Sequence, residues 1–141
     1  MTACKALLSI CLRCRDGREA ACGDRRGGAR LARAILDLGS VPPGVSLRGV
    51  HCMSQCKRPC VVSLTAAGRF TWVFGDLDPM RHAAEVLALL PIYQAAPDGF
   101  LTREARPEAL RASILGRLPP PDFDGDLVQP LTPDFQPEPT R

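Results

Sequence analysis

Apolar residues fall along this chain in short runs of strand length and in two longer stretches where they recur at helical spacing. Lys5 to Ile10 is a short apolar run that predicts a first strand, ending at Cys11. In Ala29 to Leu38 the apolar positions Leu31, Ile35 and Leu38 share one helical face, and Gly39 stands where a helix stops. The turn-forming Val41-Pro42-Pro43-Gly44 leads into Val45 to Val50, a second strand whose end hands over to Cys52. Val61 to Thr65 and Phe70 to Phe74, joined by Ala66-Ala67-Gly68, predict a hairpin. Phe70, Trp72 and Phe74 alternate onto one of its faces, a stripe that reads as core rather than as a platform for a cofactor. Asp78-Pro79 offers an N-cap and an N1 proline to a second helix with Met80, Ala83, Ala84, Leu87 and Leu90 on its apolar face and Pro91 as its terminator. Pro107 to Leu118, with Leu110, Ile114 and Leu118 four apart, predicts a third, short helix. The order is β-α-β-β-β-α with an extra C-terminal helix: an α/β fold with a small mixed sheet, since a β-α-β unit makes its two strands parallel neighbours by default.

Residues 119–141 break this pattern, with seven prolines, five acidic residues and one arginine. That composition predicts a disordered Pro-rich acidic tail behind a single folded domain over residues 1–118. The apolar run near the N-terminus is too short for a secretory signal or a membrane span, so the expected location is cytoplasmic, with no membrane partner. In that compartment thiols stay reduced, and the seven cysteines point to metal binding or redox work rather than to disulfides. The net charge of +3 hides an asymmetry, because residues 1–60 hold 11 Lys/Arg against 4 Asp/Glu and residues 61–141 hold 7 against 11. A basic, cysteine-bearing half favours the thiolate form and suits an acidic partner.

The cysteines themselves are grouped. Cys11-Leu12-Arg13-Cys14 is a C-x2-C, and His51-Cys52-Met53-Ser54-Gln55-Cys56-Lys57-Arg58-Pro59-Cys60 places three thiols within nine residues. A tight turn brings the sulfurs of a C-x2-C to the same side, which is why the spacing recurs at zinc and iron–sulfur sites. Each group follows a predicted strand, so if those strands are parallel neighbours, Cys11, Cys14, Cys52 and Cys56 emerge at one sheet edge and four sulfurs converge. Cys22 and Cys60 are additional candidates, whereas Cys4 stands apart. Spacing alone does not separate zinc from iron. A thioredoxin-type dithiol at Cys11 and Cys14 would leave Cys52, Cys56 and Cys60 without a role. His51 is placed to replace a sulfur, but a lone histidine beside a loop is more often solvated, as His82 is expected to be. No Ser/His/Asp grouping, phosphate-cradling glycine loop or H-E-x-x-H motif occurs, which disfavours a hydrolase, a kinase or a metalloprotease. The Arg-rich stretch from Arg13 to Arg33 has no interleaved aromatics, which disfavours nucleic acid.

Cys11-Leu12-Arg13-Cys14-Arg15, the Cys52 to Cys60 segment, Trp72-Val73-Phe74-Gly75-Asp76-Leu77-Asp78-Pro79 and Arg106-Pro107-Glu108-Ala109-Leu110-Arg111 together resemble DUF1636, a predicted metal-binding family. The resemblance spans most of residues 5–121 and extends to the thioredoxin-like [2Fe–2S] ferredoxins, in which a cysteine pair after the first strand and a C-x3-C before a hairpin hold the cluster. It implies a thioredoxin-like fold and a [2Fe–2S] cluster on Cys11, Cys14, Cys52 and Cys56. It further implies single-electron transfer to a redox partner protein rather than enzymatic catalysis, a role linked to cobalamin metabolism, and a capacity to form homodimers. The alternative is a zinc-binding structural or metal-handling module without redox activity. The first pair in those ferredoxins is more widely spaced than Cys11 and Cys14, which keeps Cys22 open as the partner of Cys11. Cys60 falls where they carry a small residue that is not a ligand.

Overall fold

The computed structural model describes residues 5–139. Its centre is β1 (Ala6–Cys11), which pairs in parallel with β2 (Val45–Val50) on one side and antiparallel with β3 (Val62–Ala66) on the other. β4 (Thr71–Phe74) and β5 (Ile114–Leu118) extend the sheet, each antiparallel to its neighbour, to the order β2-β1-β3-β4-β5. β1 to β4 differ little from the expected strands, with β1 shifted one residue along so that it takes in Cys11.

The period of two decides which face is core. Leu8 stands opposite Leu47 and Leu64, and Leu64 opposite Trp72, so the alternating set Ala6, Leu8, Ile10, Val62, Leu64, Trp72 and Phe74 shares one buried face. Two mutually packed helices complete that core, α1 (Gly27–Leu38) through Leu31 and Ile35, and α2 (Ala83–Ala95) through Val86, Leu87, Leu89, Leu90 and Tyr93. The other face of the sheet is polar. Ser9 accepts a hydrogen bond from Arg48 Nε at 2.7 Å, and the Thr65 and Thr71 hydroxyls meet at 2.6 Å.

α1 begins two residues earlier than expected and ends at Gly39 as read, in the left-handed conformation at φ 69°, its N–H donating to the Ile35 carbonyl. Leu38 is nevertheless half exposed rather than core. The second helix departs more. Asp78 caps a preceding turn, its Oδ1 accepting the N–H groups of Met80 at 2.8 Å and Arg81 at 3.1 Å, and α2 itself starts at Ala83. Met80 and Ala84 therefore lie on the surface. Pro91 does not terminate α2, which continues to Ala95. The turn after the proline is held from outside: the buried Tyr93 hydroxyl donates to the Phe70 carbonyl at 2.5 Å, and Arg69 Nη1 donates to the carbonyls of Tyr93 and Gln94, both at 3.2 Å, and of Ala96. A cation at the C-terminal carbonyls is the stabilising arrangement for a helix dipole.

The expected third helix over Pro107 to Leu118 does not form. A single 3₁₀ turn at Glu108–Leu110 is followed by β5, which covers the free edge of β4. Gly116 weakens a helix, and Leu115 is accommodated by a register shift opposite Val73 and Phe74. The fold is thus α/β with two helices and five strands among the described residues. The segment read as a disordered tail has no helix or strand from 119 to 139, but it does not stand clear of the domain. Phe123 packs edge-on to the buried Phe70 ring with centroids 4.9 Å apart. Masked residues, Cys4 among them, lie outside the described range.

Candidate metal centre

Both cysteine groups reach the same end of the sheet because β1 and β2 are parallel neighbours in register, Cys11 opposite Val50. One carbonyl fastens them together. Val50 C=O accepts the Leu12 N–H at 2.8 Å and the Cys52 N–H at 3.1 Å, while the Cys11 N–H donates to Val61 C=O at 3.0 Å on the other flank. The turn carrying Cys14 is pinned to the start of α1 by the Gly28 N–H, which donates to Cys14 C=O at 3.0 Å. That approach demands glycine, since a Cβ on residue 28 would lie 1.8 Å from the Cys11 carbonyl oxygen.

Cys11 and Cys14 are both buried, and their thiols interact directly. Burial opposes ionisation of Cys11, but the backbone N–H groups of Arg13, Met53 and Cys14 and the Cys14 thiol converge on its sulfur and bring its pKa below the ordinary thiol value. Met53 belongs to the second cysteine loop, so that loop supplies a donor to the first motif. Cys14 is the reverse case, pushed up to about 12 by burial and then by its bond to Cys11, although the Val61 N–H favours its thiolate. The charge of Cys56 also acts on Cys14. Cys52 and Cys56 are exposed on the loop between β2 and β3, where Cys52 has φ 86° and accepts the Ser54 N–H at 3.4 Å. Arg58 anchors the end of this loop through an ion pair with Asp76, and its carbonyl accepts the Asp76 N–H at 3.0 Å.

The two other candidates differ from each other. Cys60 is fully buried, and its thiol is pushed up to about 12 by burial and then by the charges of Cys14 and Asp16. Its sulfur lies 3.0 Å from the point a Gly27 Cβ would occupy, packed at the start of α1. Cys22 sits half-buried in a single 3₁₀ turn, Ala20–Cys22, where its charge acts on Arg18 and Arg30. His51 is exposed, and the Nδ1 of His82 accepts the Asp78 N–H at 2.8 Å. Among the described residues, no three Cys, His, Asp or Glu side chains stand close enough together to hold one metal ion. The donor set still suits a soft metal: every candidate of the two motifs is sulfur, and N–H groups already converge on Cys11, the kind of hydrogen bonding that tunes cluster sulfurs.

The segment between Arg15 and Gly27 carries a framework that its composition did not disclose. Glu19 Oε2 accepts the N–H groups of Asp16 and Gly27, both at 3.0 Å, and thereby caps α1 from eight residues away. Asp16 pairs with Arg30, and Arg18 reaches Asp78 at 2.6 Å. The sequence signal for this was the acidic pair Asp16 and Glu19 set among Arg15, Arg18, Arg25 and Arg26. Arg13, Arg15, Arg25 and Lys57, by contrast, are exposed and form no ion pair among the described residues.

The sequence pattern of DUF1636, a family described as proteins of unknown function, matches residues 8–120, both cysteine motifs and all five strands but the first two residues of β1 included. The chain belongs to DUF1636. No curated protein matches this DUF1636 chain. Among solved structures, it is similar to a thioredoxin-like [2Fe–2S] ferredoxin from Aquifex aeolicus, with a TM-score of 0.50 and 17% identity over 86% of this chain and 100% of that one. A 1.5 Å crystal structure of the wild-type thioredoxin-like [2Fe–2S] ferredoxin from the same organism gives a TM-score of 0.48 and 14% identity over 81% and 99%. The fold of this chain is therefore thioredoxin-like, as the resemblance implied.

Proposed function

We propose that this DUF1636 protein is a small electron carrier that holds a [2Fe–2S] cluster on Cys11, Cys14, Cys52 and Cys56 and passes single electrons to an acidic partner protein. The observation that carries the reading is the convergence at the ends of β1 and β2: the strands are parallel and in register, and the Val50 carbonyl accepts both the Leu12 N–H at 2.8 Å and the Cys52 N–H at 3.1 Å, so both cysteine motifs leave the sheet side by side. A bound cluster would supply one-electron chemistry at this edge. The chain's own part is to bind and to tune. The N–H groups at Cys11 favour its thiolate, and the high pKa of Cys14 keeps the second proton in place until a cation displaces it. The exposed loop carrying Cys52 and Cys56 brings the site to the surface, where a partner can approach.

Arg13, Arg15, Arg25 and Lys57 flank the motifs and, like the nearby Asp24, form no ion pair among the described residues. A carboxylate-rich partner surface is complementary to that rim, and the attraction would weaken as salt rises. Single Cys→Ser substitutions at Cys11, Cys14, Cys22, Cys52 and Cys56 test the ligand set by iron and acid-labile sulfide per chain and by visible circular dichroism. Loss is expected at Cys11, Cys14, Cys52 and Cys56 but not at Cys22. Retention in Cys14→Ser together with loss in Cys22→Ser would make the first pair Cys11 and Cys22.

A further inference from the structure

At the opposite edge of the sheet from β2, four guanidinium groups gather, none of them ion-paired to a carboxylate among the described residues. Arg106 is 7% exposed, and its Cζ lies 5.4 Å above the Trp72 ring. Arg117, opposite Trp72 on β5, places its Cζ 5.2 Å above Phe100, whose ring centroid is 6.3 Å from that of Trp72. Arg111 Nε donates to the Arg106 carbonyl at 3.1 Å, and Arg103 Nη1 donates to the Arg111 carbonyl at 3.3 Å. All four side chains thus belong to one patch. None forms an ion pair among the described residues.

The hydrogen bonds of Arg103, Arg106 and Arg111 run to main-chain carbonyls, which orient a guanidinium but bring no countercharge. Arg106 Nη1 donates to the Leu110 carbonyl at 2.8 Å and the Arg111 carbonyl at 3.4 Å, whereas its buried Nε has no acceptor. Burial, and then the charges of Arg103, Arg117 and Arg111, lower the Arg106 pKa; Glu104, which opposes them, is the smallest of these influences. A largely buried cation without a countercharge is destabilising unless something else supplies one. The ring faces beneath Arg106 and Arg117 provide part of the attraction but no charge.

We propose that Arg103, Arg106, Arg111 and Arg117 form a binding site for a phosphate-class oxyanion, either free or carried on a small phosphorylated molecule. Guanidinium groups match such an oxyanion by paired N–H donors, and a doubly charged ion answers several cations where a single carboxylate answers one. The site goes beyond the electron-carrier reading and does not rest on it.

The test is the thermal midpoint of the purified full chain, with calorimetric titration in parallel. Inorganic phosphate, adenosine monophosphate, chloride and acetate serve as probes at matched ionic strength. Phosphate at about ten times its dissociation constant is expected to raise the midpoint by about 3–6 °C, with no such rise in chloride or acetate. The variants Arg103→Gln and Arg117→Gln each remove one exposed donor group and are expected to weaken phosphate binding roughly tenfold. Arg106→Lys removes the fork but keeps the charge, and if it fails to fold, the two surface variants still decide. Tighter binding of the nucleotide would place the phosphoryl group on a small molecule, and equal binding would make the ligand the free ion. An equal rise in acetate or chloride, or an undiminished phosphate response in both surface variants, would overturn the proposal. The readout needs neither iron nor electron transfer, so its failure is distinct from failure of the cluster reading.

Discussion

Cys11 and Cys14 share one pocket but hold their protons differently, and the reason is local. Three N–H groups converge on the Cys11 sulfur, while Cys14 has the Val61 N–H and lies beside Cys11. Cys60 shows what burial does to a thiol that lacks such donors. Its pKa rises from 9.0 in an exposed chain to about 12, chiefly through burial and then through Cys14 and Asp16. A raised folded-state pKa gives stability that is complete below the unfolded value and is lost as pH climbs toward the folded one. The metal-free protein is therefore expected to lose stability between pH 9.0 and about 12. Cys60→Ala should start less stable at neutral pH, because a cavity opens beside α1, but should show a flatter alkaline decline in urea unfolding. Parallel curves for the two proteins would remove Cys60 from this account. Gly28 makes a purely steric demand. Because a Cβ would stand 1.8 Å from the Cys11 carbonyl, Gly28→Ala should cost about 3 kcal/mol or more, or prevent folding. Gly116→Ala, with open space around its Cβ, should change the urea midpoint little.

At the scale of elements, legibility followed how far each element depends on its own residues. β1, β2 and α1 are announced by local pattern and by Gly39, and the structure places them close to the expected bounds. Pro91 misled because its effect is local, whereas the contacts that carry α2 past it come from Arg69 and Phe70, over 20 residues away. β5 was hidden for a similar reason: Leu110, Ile114 and Leu118 fit a helical period as well as a strand, and only the free edge of β4 decides between them. The candidate site was legible through its sulfurs, since thiol spacing survives in sequence, but the N–H donor at Met53 and the Glu19 cap arise from chain folding and leave no periodic trace. Phe123 is the remaining case, an aromatic in a proline-rich segment whose partner Phe70 lies before β4, α2 and β5 in the chain. Truncation after Pro121 removes that contact and should lower stability by about 1–2 kcal/mol, whereas truncation after Val128 should cost much less. Equal stability of both forms with the full chain, measured by urea unfolding, would place Phe123 outside the energetics of the fold.

For the whole molecule, the sheet separates two kinds of chemistry. Soft donors and exposed cations gather where β1 and β2 end, and an arginine patch with no ion pair among the described residues occupies the β4–β5 edge. No described helix is long and apolar enough to cross a membrane. Membership of DUF1636 and the thioredoxin-like fold fix the scaffold, and the sulfur edge on it motivates the electron-carrier reading. The most direct test of that reading is the composition of the protein purified without oxygen. The account predicts a reddish-brown protein with iron and acid-labile sulfide in equal amounts and an electron paramagnetic resonance signal on reduction. A colourless protein holding stoichiometric zinc, and unable to take up a cluster from iron and sulfide under reducing conditions, would contradict it.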